Sequence, residues 1–165
     1  MLDFTKLSPL FSCLLKDLIS NMEDLGHTVN PYYGIRTLAQ QACIWRRSRS
    51  TAEVNAMFDK LEANDCPYAL EVLKSVGPQK TAPWGTNTYM FSYHLIGKAA
   101  DMFVDGDMKG GAVYDVLARE ALKVGLTPGR NFSTPDSGHV QLGSNELNKL
   151  FTMAEMDVIL RDLSL

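Results

Sequence analysis

Residues 92–104 read Ser92-Tyr93-His94-Leu95-Ile96-Gly97-Lys98-Ala99-Ala100-Asp101-Met102-Phe103-Val104. Ala99 to Val104 is short and apolar except for Asp101, which is the composition of a buried strand. An unpaired carboxylate inside such a strand is costly, so Asp101 calls for a partner. His94 precedes it, and on a straight helix the two would stand about 10.5 Å apart along the axis. Donors that share a zinc ion lie only about 2.0–2.2 Å from it. The chain must therefore turn between them, and Gly97 supplies the place. Two readings stay open from spacing: a cation held by His94 and Asp101, or a buried Asp–His hydrogen bond without metal.

Downstream, Asp105-Gly106-Asp107 reads as a turn, because the other ligands of a calcium loop are missing. Gly110 to Gly125 contains a helix with Val113, Val116, Leu117, Ala121 and Val124 inward, and Leu126 to Ser137 is irregular. His139-Val140-Gln141-Leu142 alternates like a strand. Asp136 lies before His139 across the Gly138 turn. If His139 joins His94 and Asp101, three protein ligands leave a fourth position for water, the form of a catalytic zinc site. Asp136 would then stand over the open position as general base. Thr152 and Glu155 form a capping box before a last helix with Ile159, Leu160 and Leu163.

Upstream, Ser8, Pro9 and Gly26 bracket an amphipathic helix. Its expected core stripe is Leu10, Leu14, Leu18 and Met22, with Phe11, Leu15, Ile19 and Leu25 beside them. Early Asp3, internal Pro9 and Ser12, and the absence of a cleavage site argue against a signal peptide. Thr28 to Arg36 is a short extended segment. Thr37 and Gln40 form a capping box for a helix reaching about Arg47. The basic cluster Arg46, Arg47 and Arg49 reads as a helix end, where cations are favoured. Thr51 starts a helix facing Val54, Met57, Phe58 and Leu61 inward, and Pro67 opens another that ends at Gly77. Residues 77–91 read as a loop, in which Trp84 and Tyr89 are cleft-lining candidates. His27 reads as a solvent-facing or capping histidine. The whole pattern predicts an α+β fold, a small sheet with helices packed around it.

Composition sets outer limits. The 165 residues suit one domain, taken as 1–165. At 45% hydrophobic and 21% charged the chain resembles ordinary globular proteins. A net charge of -3 argues against a dedicated nucleic-acid binder. No apolar run reaches the roughly 18 residues of a membrane span. Cys13, Cys43 and Cys66 form no CxxC pair and read as small buried hydrophobes in a reducing compartment.

These residues resemble the family of zinc D-alanyl-D-alanine carboxypeptidases and L-alanyl-D-glutamate endopeptidases, which includes VanY-type enzymes and many phage endolysins. The hallmark S-x-H-x-x-G-x-A-x-D is matched by Ser92, His94, Gly97, Ala99 and Asp101. The acid and histidine that follow it are matched by Asp136 and His139. Gly34-Ile35-Arg36-Thr37 with Gln41 resembles an upstream G-x-R-S/T-x-x-x-Q segment. The resemblance implies a small antiparallel sheet carrying zinc, similar to the hedgehog and D-Ala-D-Ala-peptidase fold. It implies that His94, Asp101 and His139 bind Zn2+, that Asp136 is the general base, and that Arg36 contacts substrate. A planar, permanently charged fork also suits a peptide carboxylate or a developing oxyanion, although a structural salt bridge is the ordinary use of an arginine. Gln41 and Ser92 are weaker substrate candidates. Gln41 has the composition of a helix surface, and Ser92 fits either a ligand bond or the fixing of its loop. Relatives often carry Pro before the last His, where this chain has Gly138, and Trp before the acid, where it has Leu126 to Phe132.

The expected protein is thus a monomeric zinc metallopeptidase acting on peptidoglycan stem peptides, without nucleic acid or membrane insertion. The specific expectation is an L-alanyl-D-glutamate endopeptidase working as a phage-type endolysin. With no signal evident, it would wait in the host cytoplasm until another protein opens the way to the periplasm and cell wall. The rivals are a D-alanyl-D-alanine carboxypeptidase and a non-catalytic zinc-binding interaction domain on the same fold. A serine hydrolase built on Ser92, His94 and Asp101 lacks the G-x-S-x-G elbow.

Overall fold

The apolar run Ala99–Val104 is a strand at the middle of a small sheet. It is β2; β1 is Val29–Tyr33, β3 is Thr127–Pro128 and β4 is His139–Gln141. The order is β1-β2-β4-β3 and every pairing is antiparallel. The helices in chain order are α1 (Pro9–Asp24), α2 (Leu38–Arg46), α3 (Thr51–Ala63), α4 (Pro67–Ser75), α5 (Val113–Lys123), α6 (Leu147–Leu150) and α7 (Met153–Leu163). The class is α+β. This computed structural model describes residues 2–47, 49–77, 90–107, 110–143 and 147–163. Trp84 and Tyr89 lie outside the described residues. Among the described residues no helix is long and apolar enough to cross a membrane. The chain divides into two compact units, Met1–Ile35 with Ile96–Ser144, and Arg36–Leu95 with Asn145–Leu165.

In the first unit the sheet turns Ala100, Met102, Val104 and Val140 into a core shared with Phe11, Leu15, Leu18 and Met22 of α1 and Leu117 and Ala121 of α5. Of the expected α1 stripe, Phe11, Leu15, Leu18 and Met22 are buried, whereas Leu10 is 60% and Leu25 51% exposed. Strict repetition every four residues drifts about 40° per step around a helix of 3.6 residues per turn. Leu10 and Met22 therefore cannot share one face, while spacings of four and three keep Phe11, Leu15, Leu18 and Met22 together. Ser8 stands at the N-cap position but makes no side-chain cap bond. Residues 126–137, expected to be irregular, contain β3 and a short 3-10 turn, Gly129–Asn131. A two-residue strand is too short to carry a periodic signal. His27 is not solitary: its Nδ1 lies 2.8 Å from Asp105 Oδ2. The other Asp105 oxygen accepts the Thr28 N–H at 2.8 Å, so this turn clips the start of β1 to the end of β2.

In the second unit Thr37 and Gln40 close the expected capping box, and Ser50 with Glu53 closes another on α3. Arg46 donates to the carbonyls of Leu73 and Val76. It thereby satisfies the end of α4 rather than only its own helix terminus. The start of α4 is capped from a distance. Cys66 at its N-cap offers no side-chain bond. Instead the carboxylate of Asp157, on α7 and 2% exposed, accepts the N–H groups of Tyr68 at 3.2 Å and Ala69 at 2.6 Å. Of the cysteines only Cys66 is buried; Cys13 is exposed and Cys43 intermediate, contrary to expectation. Burial, then the charges of Asp157 and Asp65, push the Cys66 thiol up to about 11. Replacing Asp157 with alanine leaves two helix amides without their acceptor. Chemical denaturation of Asp157→Ala is expected to show a loss of about 1–3 kcal/mol; an unchanged midpoint would contradict the capping role.

Candidate metal centre

The short 3-10 helix Tyr93–Ile96 carries His94. Gly97 follows it with φ +64°, the left-handed turn the sequence requires between His94 and Asp101. Close approach adds to the need for glycine, since a Cβ there would lie 3.0 Å from the Lys6 carbonyl oxygen. The chain then enters β2 at Ala99.

Side chains alternate along a strand. With Ala100 and Met102 in the core, Ala99 and Asp101 face the other way. β4 does the same, with Val140 inward and His139 and Gln141 on the opposite face. The register places Asp101 directly opposite His139 and Ala99 opposite Gln141. Asp101 Oδ1 lies 3.0 Å from His139 Nδ1. One ligand atom each from His94, Asp101 and His139 all fall within 4.8 Å of one another.

This donor set fits zinc. Two imidazoles and one carboxylate are ligand types of catalytic zinc sites, which keep a further position open. The imidazoles are buried, His94 at 3% and His139 at 7% exposure, and Asp101 is half-buried. At His139 burial opposes the charged form, but the hydrogen bond and charge of Asp101, with Asp136 adding to them, outweigh it and raise the imidazole pKa. The pocket around that ring thus favours positive charge, which is what a cation brings.

Asp136 is exposed, in the turn before β4; its N–H donates to Gly129 O at 2.9 Å and its carbonyl accepts the His139 N–H at 3.1 Å. Those two bonds hold the Asp136 backbone next to His139, whose imidazole feels the Asp136 charge. The Arg36 N–H donates to the His94 carbonyl at 3.0 Å, so the arginine follows β1 beside the backbone of a metal-ligand candidate. Its Nη1 donates to Gln41 Oε1 at 2.6 Å. Gln41 is fully buried rather than on a helix surface, and it orients the guanidinium. Gln is tolerated inside only when bonded, and Arg36 bonds it from outside the helix. The Ser92 hydroxyl accepts the His94 N–H at 3.4 Å, which helps shape the turn carrying that histidine.

Two features were not legible as site elements. The Phe132 ring lies 5.7 Å from the His139 ring, tilted by 51°. It supplies an aromatic wall from the segment where Trp is missing. Gly138 is pressed against β2: a Cβ there would lie 2.5 Å from the Met102 carbonyl oxygen, and Gly138 O accepts the Met102 N–H at 2.9 Å. No side chain fits, proline included. Gly138→Ala must therefore push β4 from β2 next to the Asp101–His139 pair. Overpacking of this kind costs about 1–3 kcal/mol. Thermal unfolding of the variant should show it, together with weaker zinc binding; wild-type behaviour in both would refute this account of the turn.

No family model matches the chain, and the curated proteins contain no match to it. Among solved structures, it is similar to the L-Ala D-Glu endopeptidase ChiX of Serratia marcescens, with a TM-score of 0.49 and 15% identity over 85% of this chain and 83% of that one. It is also similar to a mutant of the vancomycin resistance D,D-pentapeptidase VanY, from a VanB-type resistance cassette in complex with Zn(II). The TM-score there is 0.48, with 15% identity over 96% of this chain and 84% of that one.

Proposed function

We propose that this protein is a zinc metallopeptidase that hydrolyses an amide bond in peptidoglycan stem peptides. The observation that carries the reading is the convergence of His94, Asp101 and His139 to within 4.8 Å, from the positions that the motif resemblance marks as ligands. Bound zinc would acidify a water molecule and polarise the scissile carbonyl. Asp136 takes the proton from the attacking water and delivers it to the leaving amine. Arg36, oriented through its bond to Gln41, offers a fixed positive fork to a substrate carboxylate or to charge developing on the carbonyl oxygen. Burial of His139, with the Phe132 ring beside it, restricts water around that imidazole and strengthens its interaction with Asp101.

The specific activity we assign is L-alanyl-D-glutamate endopeptidase, in the context of a phage-type lysin that works as a monomer and reaches the wall once another protein has opened the membrane. Mass spectrometry of purified peptidoglycan digested with and without a chelator tests it. Cleavage that exposes a D-glutamate amino group and stops on chelation is the expected result. Release of D-alanine would move the assignment to a D,D-carboxypeptidase. Intact peptides from folded, zinc-loaded protein would refute the peptidase reading.

A further inference from the structure

His139 has two ring nitrogens, and the structure gives each a partner. Nδ1 lies 3.0 Å from Asp101 Oδ1, and Nε2 lies 3.1 Å from Gln141 Oε1. Gln141, itself 7% exposed, donates from Nε2 to the Gly143 carbonyl at 2.8 Å. A carbonyl oxygen only accepts, so this bond fixes which end of the carboxamide points where. Its amide nitrogen faces Gly143 and its oxygen faces His139. That oxygen also only accepts, so His139 Nε2 must carry the hydrogen. In the neutral ring the Nδ1 lone pair is then aimed at the Asp101 carboxylate. Two acceptors facing one another at 3.0 Å repel unless a positive species joins them.

We infer that Gln141 is a positioning residue: anchored on Gly143, it holds His139 in the Nε2–H tautomer and so presents Nδ1 as the donor toward the space shared with Asp101 and His94. Its consequence for zinc rests on the metallopeptidase reading; the tautomer itself does not. Sequence alone gives no hint of this, because residue 141 is then only the outward position of a short strand. Register supplies it, since His139 and Gln141 share one face of β4 and the backbone turns at Gly143 to offer its carbonyl. Outer partners of this kind lock ring orientation, and losing one weakens metal binding about 10–100-fold.

The test compares wild type with Gln141→Met, which keeps side-chain length and removes the strong acceptor. Long-range proton–nitrogen NMR is recorded on the metal-free proteins at alkaline pH and after zinc addition, and zinc affinity is measured by chelator competition. In wild type the His139 proton is expected on Nε2 in both states, with the Nδ1 resonance moving when zinc is added. In Gln141→Met the metal-free ring is expected as a tautomer mixture, with zinc affinity lowered about 10–100-fold and unfolding still cooperative. A wild-type proton on Nδ1, zinc on Nε2, or a folded variant with wild-type spectrum and affinity would overturn the inference. Should wild type bind no zinc, the metallopeptidase reading falls. The metal-free wild-type spectrum then still decides the role of Gln141, in favour with Nε2–H and against with Nδ1–H. That spectrum also decides it should the variant fail to fold.

Discussion

Replacing Asp136 with alanine is expected to lower kcat by about 10²–10⁴-fold, the usual contribution of a positioned acid or base, while zinc content and unfolding temperature stay at wild-type values. The separation follows from how Asp136 is held. Its N–H to Gly129 O and its carbonyl to the His139 N–H are backbone bonds that alanine keeps. Its carboxylate is exposed and belongs to no strand or helix, so truncation opens no cavity. What is lost is a proton acceptor and one negative charge near His139. Steady-state hydrolysis of stem peptides, with zinc measured in the same samples, reads both halves. A zinc-loaded variant as active as wild type would remove Asp136 from the mechanism. Wild type and variant equally inert would instead favour a zinc-binding interaction domain.

A second large effect is expected at Asp101. Asp101→Asn keeps the size of the side chain but removes the carboxylate that faces His139 at 3.0 Å. On the proposed zinc reading, affinity should fall by more than the roughly 100-fold typical of losing an outer partner, because Asp101 would be a direct ligand and its charge is gone. A ligand present at 100 times its dissociation constant stabilises the folded state by about 2.7 kcal/mol. Excess zinc should therefore raise the unfolding temperature of wild type and have little effect on Asp101→Asn. Equal zinc-induced shifts would show that the ion binds elsewhere.

The local geometry around the candidate site was legible where its signals are local. The apolar run around Asp101 announces a strand with a carboxylate out of place, and Gly97 announces the turn that His94 needs. Thr37 with Gln40, Thr152 with Glu155 and Pro67 place helix starts from short-range chemistry. What was illegible depends on partners distant in sequence. The buried state of Gln41 follows from Arg36 reaching it across the start of α2. Asp157 reads as one more helix acid, yet it caps α4 across 88 residues of chain. The role of Gly138 is set by how closely β2 passes it. Leu10 is exposed for a different reason, since a four-residue repeat resembles a helix face but drifts off it.

Metal stoichiometry bears on the centre without reference to any substrate. Folded protein is dialysed against zinc, desalted and analysed for bound metal beside a sample in which His94, Asp101 and His139 are all alanine. One zinc per wild-type chain and none in the triple variant is the predicted result. Wild-type protein with no bound transition metal, or a triple variant that retains the same zinc, would contradict the shared-ion site on which the proposed chemistry stands.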